Sequence, residues 1–391
     1  MPVNIYLPVG RLWMLMNEVL MNKKRVVIVG GGLAGLYTAF QLEQLNIPYV
    51  LFEAKDVFGG RIHSEQPKVN NDESLFHDLG PTWIFPHHYR MKALAANFKQ
   101  NLFHQYTAGA VVYHEHTNIA PKIIKNGQEP LLHRLEGGLY KLILALQAQL
   151  SKSNYQLSCQ VDSLLKVNDT WQVTVKNTKD DSVVVHETDN LILALPPRLI
   201  HEYLTPAHWA SEALTKALVA VPTWMANQAK FIATYNKPFW RDSGLAGQAF
   251  SRVGPMIEIH DASAAEQQGF ALFGFIGLSP QAIKSVSIED LKAQCINQLK
   301  LLFGEAAQDY EQCYLKSWGN DVYVATNKDR AEPPAHPDFH VKRFSQELSS
   351  LNLYLAASEF SEQDAGYLEG AINAADTAIS LLKKELLFKS H

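Results

Sequence analysis

The clearest pattern of apolar positions lies near the start of the chain. Four consecutive β-branched residues, Val26 to Val29, lead directly into a glycine-rich turn, and a helical pattern begins at once. A second apolar run, Tyr49 to Phe52, ends at the acidic residue Glu53. Short apolar runs bounded by glycine are typical of buried strands. The pattern therefore predicts a strand, a tight turn, a helix and a second strand.

The turn between the first strand and the helix contains three regularly spaced glycines. In the spacing Gly30-x-Gly32-x-x-Gly35, the first permits the turn, the second lets the backbone approach phosphates, and the third lets the helix pack against the strand. The helix N-terminus offers N–H groups to a negative ligand, and Glu53 can accept hydrogen bonds from both hydroxyls of a ribose. The unit predicts a dinucleotide site, and a purely structural glycine turn is the alternative.

The later patterns predict further strands and helices. We expect strands at 156–167, 171–176, 183–185, 190–195, 230–235, 271–277, 312–317 and 351–357, and helices at 90–98, 139–150, 288–302 and 371–386.

The order of these elements predicts how the chain divides. Because the last strand and helix return to the pattern of the first unit, we expect a discontinuous nucleotide-binding domain made of residues 23–82, 134–200 and 345–391. Residues 83–133 and 201–344 would then form an inserted substrate domain. We expect residues 1–22 to be a disordered extension.

Composition narrows the class of protein. The 391 residues are 47% hydrophobic and 19% charged, and the net charge of −4 gives no reason to expect nucleic acid or an anionic membrane as a partner. No apolar stretch is long enough for stable membrane insertion. The cysteines, Cys159, Cys295 and Cys313, are far apart, so neither a disulfide framework nor a zinc site is expected, and a reducing, cytoplasmic location fits best.

One histidine-rich segment is a candidate metal site. His114 and His116 flank Glu115 on an expected surface segment, and no cluster of further ligands accompanies them. Solvated histidines explain this spacing better than a bound ion, so we expect no metal.

Several later motifs follow the dinucleotide unit in a fixed order: Gly59-Gly60-Arg61, Gly80-Pro81-Thr82-Trp83, Leu193 to Pro197, Lys230 to Trp240, and Gly366 to Ala371. In order and spacing, from about residue 24 to residue 385, the chain resembles the flavin-containing amine oxidases, a family that includes monoamine and polyamine oxidases. The resemblance implies an α/β fold in which a Rossmann-like FAD-binding domain carries an inserted α+β substrate domain.

The resemblance also implies which residues contact FAD. Glu53 favours an unphosphorylated ribose, and no second glycine fingerprint follows that would bind a nicotinamide cofactor. Arg61 can offer a forked cation to the pyrophosphate, and a solvated surface arginine is the alternative. The alternatives for Ala194 and Glu359 are a buried strand end and an ordinary acid at a helix start. The implied contacts are Gly30, Gly32, Leu33, Ala34, Gly35, Glu53, Ala54, Gly60, Arg61, Gly80, Pro81, Thr82, Trp83, Val161, Ala194, Ser358, Glu359, Leu368 and Ala371.

Three residues are implied to act on the substrate side. Lys230 matches a family lysine that holds a water against flavin N5, and a solvent-facing lysine on a half-buried strand is the alternative. Tyr367 matches one of two aromatic residues that sandwich an amine. Trp318 matches the family's tryptophan after a strand. Residues 323–328 contain no cysteine to attach the flavin, and apart from Tyr323 they lack the tyrosine expected just after it. Non-covalent FAD is therefore implied. Trp318 or Tyr323 would then replace the missing tyrosine as the second aromatic residue of the amine site, and for both residues packing in the core is the alternative.

Three functions are compatible with these residues. The leading hypothesis is oxidation of a small-molecule amine to an imine, which water hydrolyses to an aldehyde, while oxygen is reduced to hydrogen peroxide. The altered aromatic wall also permits a desaturase or porphyrinogen-type oxidase that acts on a larger apolar substrate. The third hypothesis is a flavin-binding protein without oxidase activity.

Overall fold

The computed structural model describes residues 26–66, 75–125, 131–265 and 269–388. The expected extension at residues 1–22 lies outside these ranges. The strands are β1 (Val26–Val29), β2 (Tyr49–Phe52), β3 (Ser64–Glu65), β4 (His77–Asp78), β5 (Leu102–His104), β6 (Ala110–His114), β7 (Lys122–Ile124), β8 (His133–Leu135), β9 (Tyr155–Gln156), β10 (Cys159–Val167), β11 (Thr170–Asn177), β12 (Val183–Thr188), β13 (Asn190–Leu193), β14 (Ala229–Tyr235), β15 (Leu245–Ser251), β16 (Met256–Asp261), β17 (Phe270–Ile276), β18 (Gln312–Ser317) and β19 (Leu353–Leu355).

The α-helices of the described residues alternate with these strands. They are α1 (Leu33–Gln44), α2 (Tyr89–Asn97), α3 (Tyr140–Gln147), α4 (Pro197–Leu204), α5 (Glu212–Ala220), α6 (Phe239–Asp242), α7 (Pro280–Lys284), α8 (Ile288–Phe303), α9 (Asn327–Ala331), α10 (Ser345–Leu351) and α11 (Leu368–Phe388). None of them combines the length and the apolar character needed to cross a membrane.

A five-stranded parallel sheet forms the centre of the nucleotide-binding fold. Its strand order is β19-β13-β1-β2-β9, and each neighbouring pair is parallel. Strand β1 therefore lies in the middle, and the chain order reverses on either side of it. This is the doubly wound arrangement of a Rossmann-like fold, and the predicted α/β class is confirmed.

Both faces of this sheet are covered, which explains the unbroken apolar runs of its strands. Val26 and Ile28 pack with α1, α3 and α11 on one face. Val27 and Val29 pack on the other face with Trp171 of β11, in an antiparallel sheet of order β10-β11-β12. Because successive side chains of a strand point to opposite faces, a strand covered on both sides must be apolar at every position.

A second large sheet has seven strands in the order β18-β14-β17-β16-β15-β6-β7. It is antiparallel except for the parallel pair β15 and β6, and helix α8 covers one of its faces. Strands β6 and β7 come from residues 110–124, whereas the others come from residues 229–317.

The structure divides one element that the apolar pattern predicts to be continuous. The strand expected at 156–167 is two strands in different sheets: β9 pairs with β2, and β10 pairs with β11. The break lies at Ser158, whose φ of 57° is left-handed. The N–H groups of Ser158 and Cys159 donate to the carbonyls of Lys55 and Glu53, so a tertiary contact turns the chain here.

Four short strands, β5 to β8, were not predicted from the sequence. They have three to five residues each, and all three residues of β7 are exposed. Such short segments carry no detectable apolar alternation, so their pairing with distant strands decides their conformation.

The close approach of α1 to β1 makes Gly35 the most sensitive position of the turn. A Cβ atom there would lie 1.9 Å from the carbonyl oxygen of Gly30. We expect Gly35→Ala to lower the free energy of unfolding by about 3 kcal/mol or more, because the helix must move off the strand. Gly32→Ala is the matched control, since its Cβ would meet nothing closer than 3.9 Å. Equal urea denaturation midpoints for the two variants would contradict this account.

Candidate active site

A cavity of about 520 Å³ opens at the carboxyl ends of the parallel strands. Residues that follow β1, β2, β13 and β19 line one end of it, and residues of β14, β16 and β17 line the other. The carboxyl edge of a doubly wound sheet, beside the central strand, is where such folds bind ligands. The cavity therefore joins the nucleotide-binding edge to a face of the seven-stranded sheet.

Almost all the site residues expected from the sequence line this one cavity. The exceptions are Gly35, which packs against β1, and Glu359, which is fully buried behind the cavity wall.

The glycine turn forms a cradle of backbone that packs too closely against its neighbours to admit side chains at Gly30 and Gly60. Gly30 has a left-handed φ of 101°, and a Cβ there would lie 2.8 Å from the carbonyl oxygen of Ala194. A second glycine loop lies against the first, because Gly59 N–H donates to Gly31 O at 2.9 Å and a Cβ on Gly60 would lie 3.1 Å from Gly32 Cα. Two backbone segments without side chains thus face the space that a pyrophosphate needs.

Glu53 stands at the end of β2 with its carboxylate held in place. Its oxygens accept hydrogen bonds from the N–H groups of Gly31 at 2.6 Å and Lys55 at 2.8 Å. Burial raises the pKa of Glu53, and these two N–H groups oppose that rise. Tyr323 lies at this same end of the cavity, where its Oη donates to Oε1 of Gln160 at 3.2 Å.

Arg61 and Glu359 form a bidentate ion pair. The guanidinium donates to the two carboxylate oxygens at 2.7 and 2.9 Å and to Ser358 Oγ at 3.0 Å. The backbone of Trp224 completes the group, since its N–H donates to Glu359 and its carbonyl accepts from Arg61, both at 3.2 Å. Glu359, expected as a direct cofactor contact, therefore lies behind Arg61 and fixes its orientation.

Lys230 lies on β14 with its side chain directed into the cavity. Phe231 and Ala233 of the same strand pack towards α8, so alternation turns Lys230 to the opposite face. Only 2% of the residue is exposed, which excludes the solvent-facing alternative. Its Nζ donates to Thr82 Oγ1 and, at 3.2 Å, to the carbonyl of Gly80, and it lies 3.9 Å from the centre of the Phe273 ring.

Burial makes Lys230 a group that can release its proton near neutrality. Desolvation lowers the pKa of the ammonium from 10.5 to about 7, although the carboxylate of Asp78 opposes the effect and Arg134 reinforces it. Asp78 is buried too, and desolvation raises its pKa while Lys230 lowers it. Desolvation therefore favours the neutral form of both groups, whereas the charge of each group favours the charged form of the other.

Aromatic rings surround Tyr367, but they are not the rings that the sequence suggested. Its neighbours are Phe85, His88, Trp224 and His336, with ring centres 5.6 to 5.9 Å away. Trp318 lines the cavity but donates from Nε1 to the carbonyl of Leu79.

Sequence reasoning missed several wall residues, among them Trp224, Phe275 and Glu258. Trp224 lies in a loop without periodicity. Phe275 and Glu258 enter the cavity wall only because β16 and β17 pair beside β14. No pattern within either strand reveals that pairing.

Within the described residues, one group brings three candidate metal-ligand atoms within 4.8 Å of one another: His87, His88 and Asp364. The N–H of Phe85 donates to Nδ1 of His88 at 3.3 Å, which places the ring proton on Nε2 and leaves no free lone pair for a metal. In the segment considered from the sequence, the ring of His114 contacts the carbonyl of Ile119 and Glu115 contacts Arg252.

Comparison with known proteins shows the family. The model of the family described as flavin containing amine oxidoreductase matches residues 33–133 and 119–378. The chain belongs to this family. It is a flavin-dependent oxidoreductase, and the glycine cradle with Glu53 and Arg61 has the form and donor groups that a flavin dinucleotide requires.

One curated relative and two solved structures illustrate the similarity. A probable flavin-containing monoamine oxidase A of Dictyostelium discoideum is 23% identical over 400 residues, covering 76% of this chain and 84% of the relative. Putrescine oxidase bound to putrescine matches with a TM-score of 0.73 and 16% identity over 92% of this chain and 99% of that one. Cyclohexylamine oxidase from Brevibacterium oxydans IH-35A matches with a TM-score of 0.75 and 15% identity over 93% and 100%. At these identities the two structures show the shared fold.

Gly32→Ala tests the cradle separately from the fold. Its Cβ would have no protein neighbour closer than 3.9 Å, so the chain should fold. The added methyl group would occupy the space through which the backbone meets the phosphates, so we expect flavin binding to weaken by about tenfold or more. Titration of the apoprotein with FAD, followed by flavin fluorescence, measures the change, and wild-type affinity would contradict a cradle at Gly32.

The lowered pKa of Lys230 predicts a dependence of stability on pH. Between about pH 7 and pH 10.5 the unfolded chain keeps this proton and the folded chain has released it, so the free energy of unfolding should rise with pH. Relative to Lys230→Met, the wild type should gain up to about 1.4 kcal/mol per pH unit in this range. Urea unfolding at several pH values measures both proteins, and parallel profiles would contradict the lowered pKa.

Proposed function

We propose that this protein oxidises amines with non-covalently bound FAD. The observation that carries the proposal is the position of Lys230, a buried amine that faces the same cavity as the glycine cradle. Family membership supports the amine as substrate. So do two structural neighbours, an oxidase bound to putrescine and an oxidase of cyclohexylamine.

In this proposal the residues of the parallel-sheet edge hold the dinucleotide. Glu53 accepts the ribose hydroxyls, the backbone at Gly31, Gly32 and Gly60 faces the pyrophosphate, and Arg61 adds a cation fixed by Glu359. The first turn of α11, at Leu368 and Ala371, lines the cavity, so the positive end of this helix dipole would favour negative charge on a flavin bound there. Residues 323–328 contain no cysteine, so we infer that the cofactor is not covalently attached there.

The chain's own residues orient the amine and exclude water. Tyr367 offers an aromatic face, and Trp83 and Phe275 form an apolar wall that keeps the amine neutral. A flavin bound in the cavity would supply the chemistry that takes a hydride from the α-carbon of the amine and passes two electrons to oxygen, so that amine and O₂ would yield imine and H₂O₂. Water then converts the imine to an aldehyde and ammonia or a smaller amine.

Lys230 is proposed to hold or transfer a proton at Nζ. With a pKa of about 7, both its charged and its neutral forms are populated at neutral pH, which suits a group that positions a water and compensates developing charge. Thr82 Oγ1 and the carbonyl of Gly80 orient the Nζ for this role.

Cofactor binding and substrate binding are assigned to different segments of the chain in this proposal. We propose that residues 23–82, 134–200 and 345–391 bind the cofactor, and that residues 83–133 and 201–344 form most of the substrate side. The seven-stranded sheet, which draws its strands from both of the latter segments, supports this division.

Anaerobic addition of substrate tests the proposed reaction. We expect a primary or secondary amine to bleach the flavin absorbance, and readmission of oxygen to restore it with release of one peroxide per amine. Bleaching only by a large apolar substrate would favour the desaturase or porphyrinogen-type alternative. Absence of bleaching by any of these compounds would favour a flavin-binding protein without oxidase activity.

Lys230→Met tests the role of the buried amine. We expect re-oxidation of the reduced flavin by oxygen to slow by about tenfold or more, because the proton-carrying group is lost. Lys316→Met is the matched control: Lys316 lies opposite Lys230 on the neighbouring strand, but its Nζ pairs with Asp321 at 2.8 Å. Stopped-flow absorbance measures the rates, and an unchanged rate in Lys230→Met would remove this residue from the reaction.

A further inference from the structure

The amine of Lys230 lies over the face of an aromatic ring. Its Nζ is 3.9 Å from the centre of the Phe273 ring and 5.9 Å from the centre of the Phe275 ring. Strand register explains the closer contact, because Phe273 of β17 lies opposite Ile232 of β14 and is thus a diagonal neighbour of Lys230 on the same face of the sheet. A long side chain can reach a diagonal neighbour. Lys230 therefore leans along the sheet and brings its Nζ over Phe273.

Neighbouring rings fix the Phe273 ring in this position. Its centre lies 5.6 Å from the ring of Trp83, 5.4 Å from that of His260 and 5.5 Å from that of Phe275. Only 1% of the residue is exposed. To turn away from Lys230, the ring would have to displace three other rings.

Two oxygen atoms also hold the Nζ. They are Thr82 Oγ1 and the carbonyl oxygen of Gly80, and both accept hydrogen bonds from it. The segment that carries them is anchored at its next residue, where Trp83 Nε1 donates to Gln105 Oε1 at 3.0 Å and the Trp83 ring packs against Phe273. The Nζ thus contacts two kinds of fixed group, a pair of oxygen acceptors and the face of a ring.

The two kinds of contact differ in how they respond to charge. A neutral amine and an ammonium can both donate hydrogen bonds to Thr82 and Gly80. The face of an aromatic ring attracts the cation, and this attraction is strongest where water is excluded. Desolvation disfavours the charged form of Lys230, so the ring opposes the effect of burial. The ring contact therefore increases the share of ammonium at neutral pH.

We propose that Phe273 is a positioning residue for Lys230: its ring holds the ammonium beside Gly80 and Thr82 and stabilises the charged form by a cation–π interaction. This inference rests on the proposed role of Lys230 and adds the residue that maintains its charge. Phe273 is not part of the cavity wall, so it acts on the reaction through Lys230.

Several other ionisable side chains surround Lys230 on the elements packed against it. They are His77 and Asp78 of β4, Arg134 of β8, Tyr314 and Lys316 of β18, and Glu258 and His260 of β16. Asp78 favours the charged form of Lys230, and Arg134 disfavours it. Because His260 also contacts the Phe273 ring, a change of this ring can affect more than one group. The titration of Lys230 itself must therefore be observed.

Carbon-13 NMR of the holoenzyme tests the proposal. In protein labelled at Cε of lysine, the resonance of Lys230 is the one lost in Lys230→Met, and its chemical shift against pH gives the titration midpoint. We expect Phe273→Leu to lower this midpoint by about one pH unit or more, because the ammonium loses the ring. Phe231→Leu is the matched control and should leave the midpoint unchanged, since Phe231 is also buried but lies on the opposite face of β14, towards α8. Equal midpoints in the wild type and Phe273→Leu would overturn the proposal.

A second substitution covers the case in which Phe273→Leu does not fold. Pentafluorophenylalanine at position 273, introduced by stop-codon suppression, keeps the shape of the ring but reverses the polarity of its face. The midpoint of Lys230 should again fall by about one pH unit or more, although the packing is retained. A midpoint equal to that of the wild type would show that the ring acts by packing alone, and it would overturn the proposal.

The pH profile of re-oxidation connects the ring with the reaction. We expect the rate at which oxygen re-oxidises the reduced holoenzyme to fall as pH rises through the midpoint of Lys230, and Phe273→Leu to move this fall down by about one pH unit. If Phe273 were merely structural, the rate would drop at every pH without a shift of the profile, and this result would overturn the proposal. If Lys230→Met is re-oxidised as fast as the wild type, the proposed role of Lys230 fails, and the NMR midpoint still decides whether the ring stabilises the ammonium.

Discussion

The ion pair between Arg61 and the buried carboxylate of Glu359 joins distant parts of the chain at the wall of the cavity. Arg61 and Glu359 are 298 residues apart in sequence, yet they share two hydrogen bonds of 2.7 and 2.9 Å, and Glu359 is fully buried. A carboxylate without a partner at such a position costs several kcal/mol, so the pair strongly favours the meeting of the two chain segments. Trp224 joins them through its backbone, which brings a third segment to the same place. This group of contacts therefore joins the cofactor side of the cavity to the substrate side.

Burial away from water also explains the chemistry proposed for Lys230. An amine on a strand would ordinarily be charged, but β14 lies between β18 and β17 and its side chains are buried on both faces. Desolvation brings the pKa of Lys230 to about 7, and the buried carboxylate of Asp78 keeps it from falling further. Because β14 is buried, Lys230 can exchange a proton at neutral pH.

Much of the nucleotide-binding fold could be predicted from the sequence because its causes are local. The apolar runs of β1 and β2, the spacing of Gly30, Gly32 and Gly35, and the acid at Glu53 each follow from the steric and hydrogen-bonding needs of neighbouring residues. Elements without a clear apolar pattern of their own were not predicted, or were predicted with the wrong bounds. The turn at Ser158 depends on the backbone of Lys55 and Glu53, a hundred residues earlier in the chain, and the short strands β5 to β8 depend on their partners.

The sequence by itself determined that a strand, a glycine turn, a helix and an acid would form a dinucleotide site, because the spacing of these residues leaves few other conformations. It also singled out Lys230 and Tyr367, but not their surroundings. Only the tertiary structure decided that Lys230 is buried and has a low pKa, that Glu359 holds Arg61, and that Phe275 and Glu258 line the same cavity as Lys230. The physical reason is that burial, ion pairing and strand register arise between residues far apart in sequence, and no pattern within one segment encodes them.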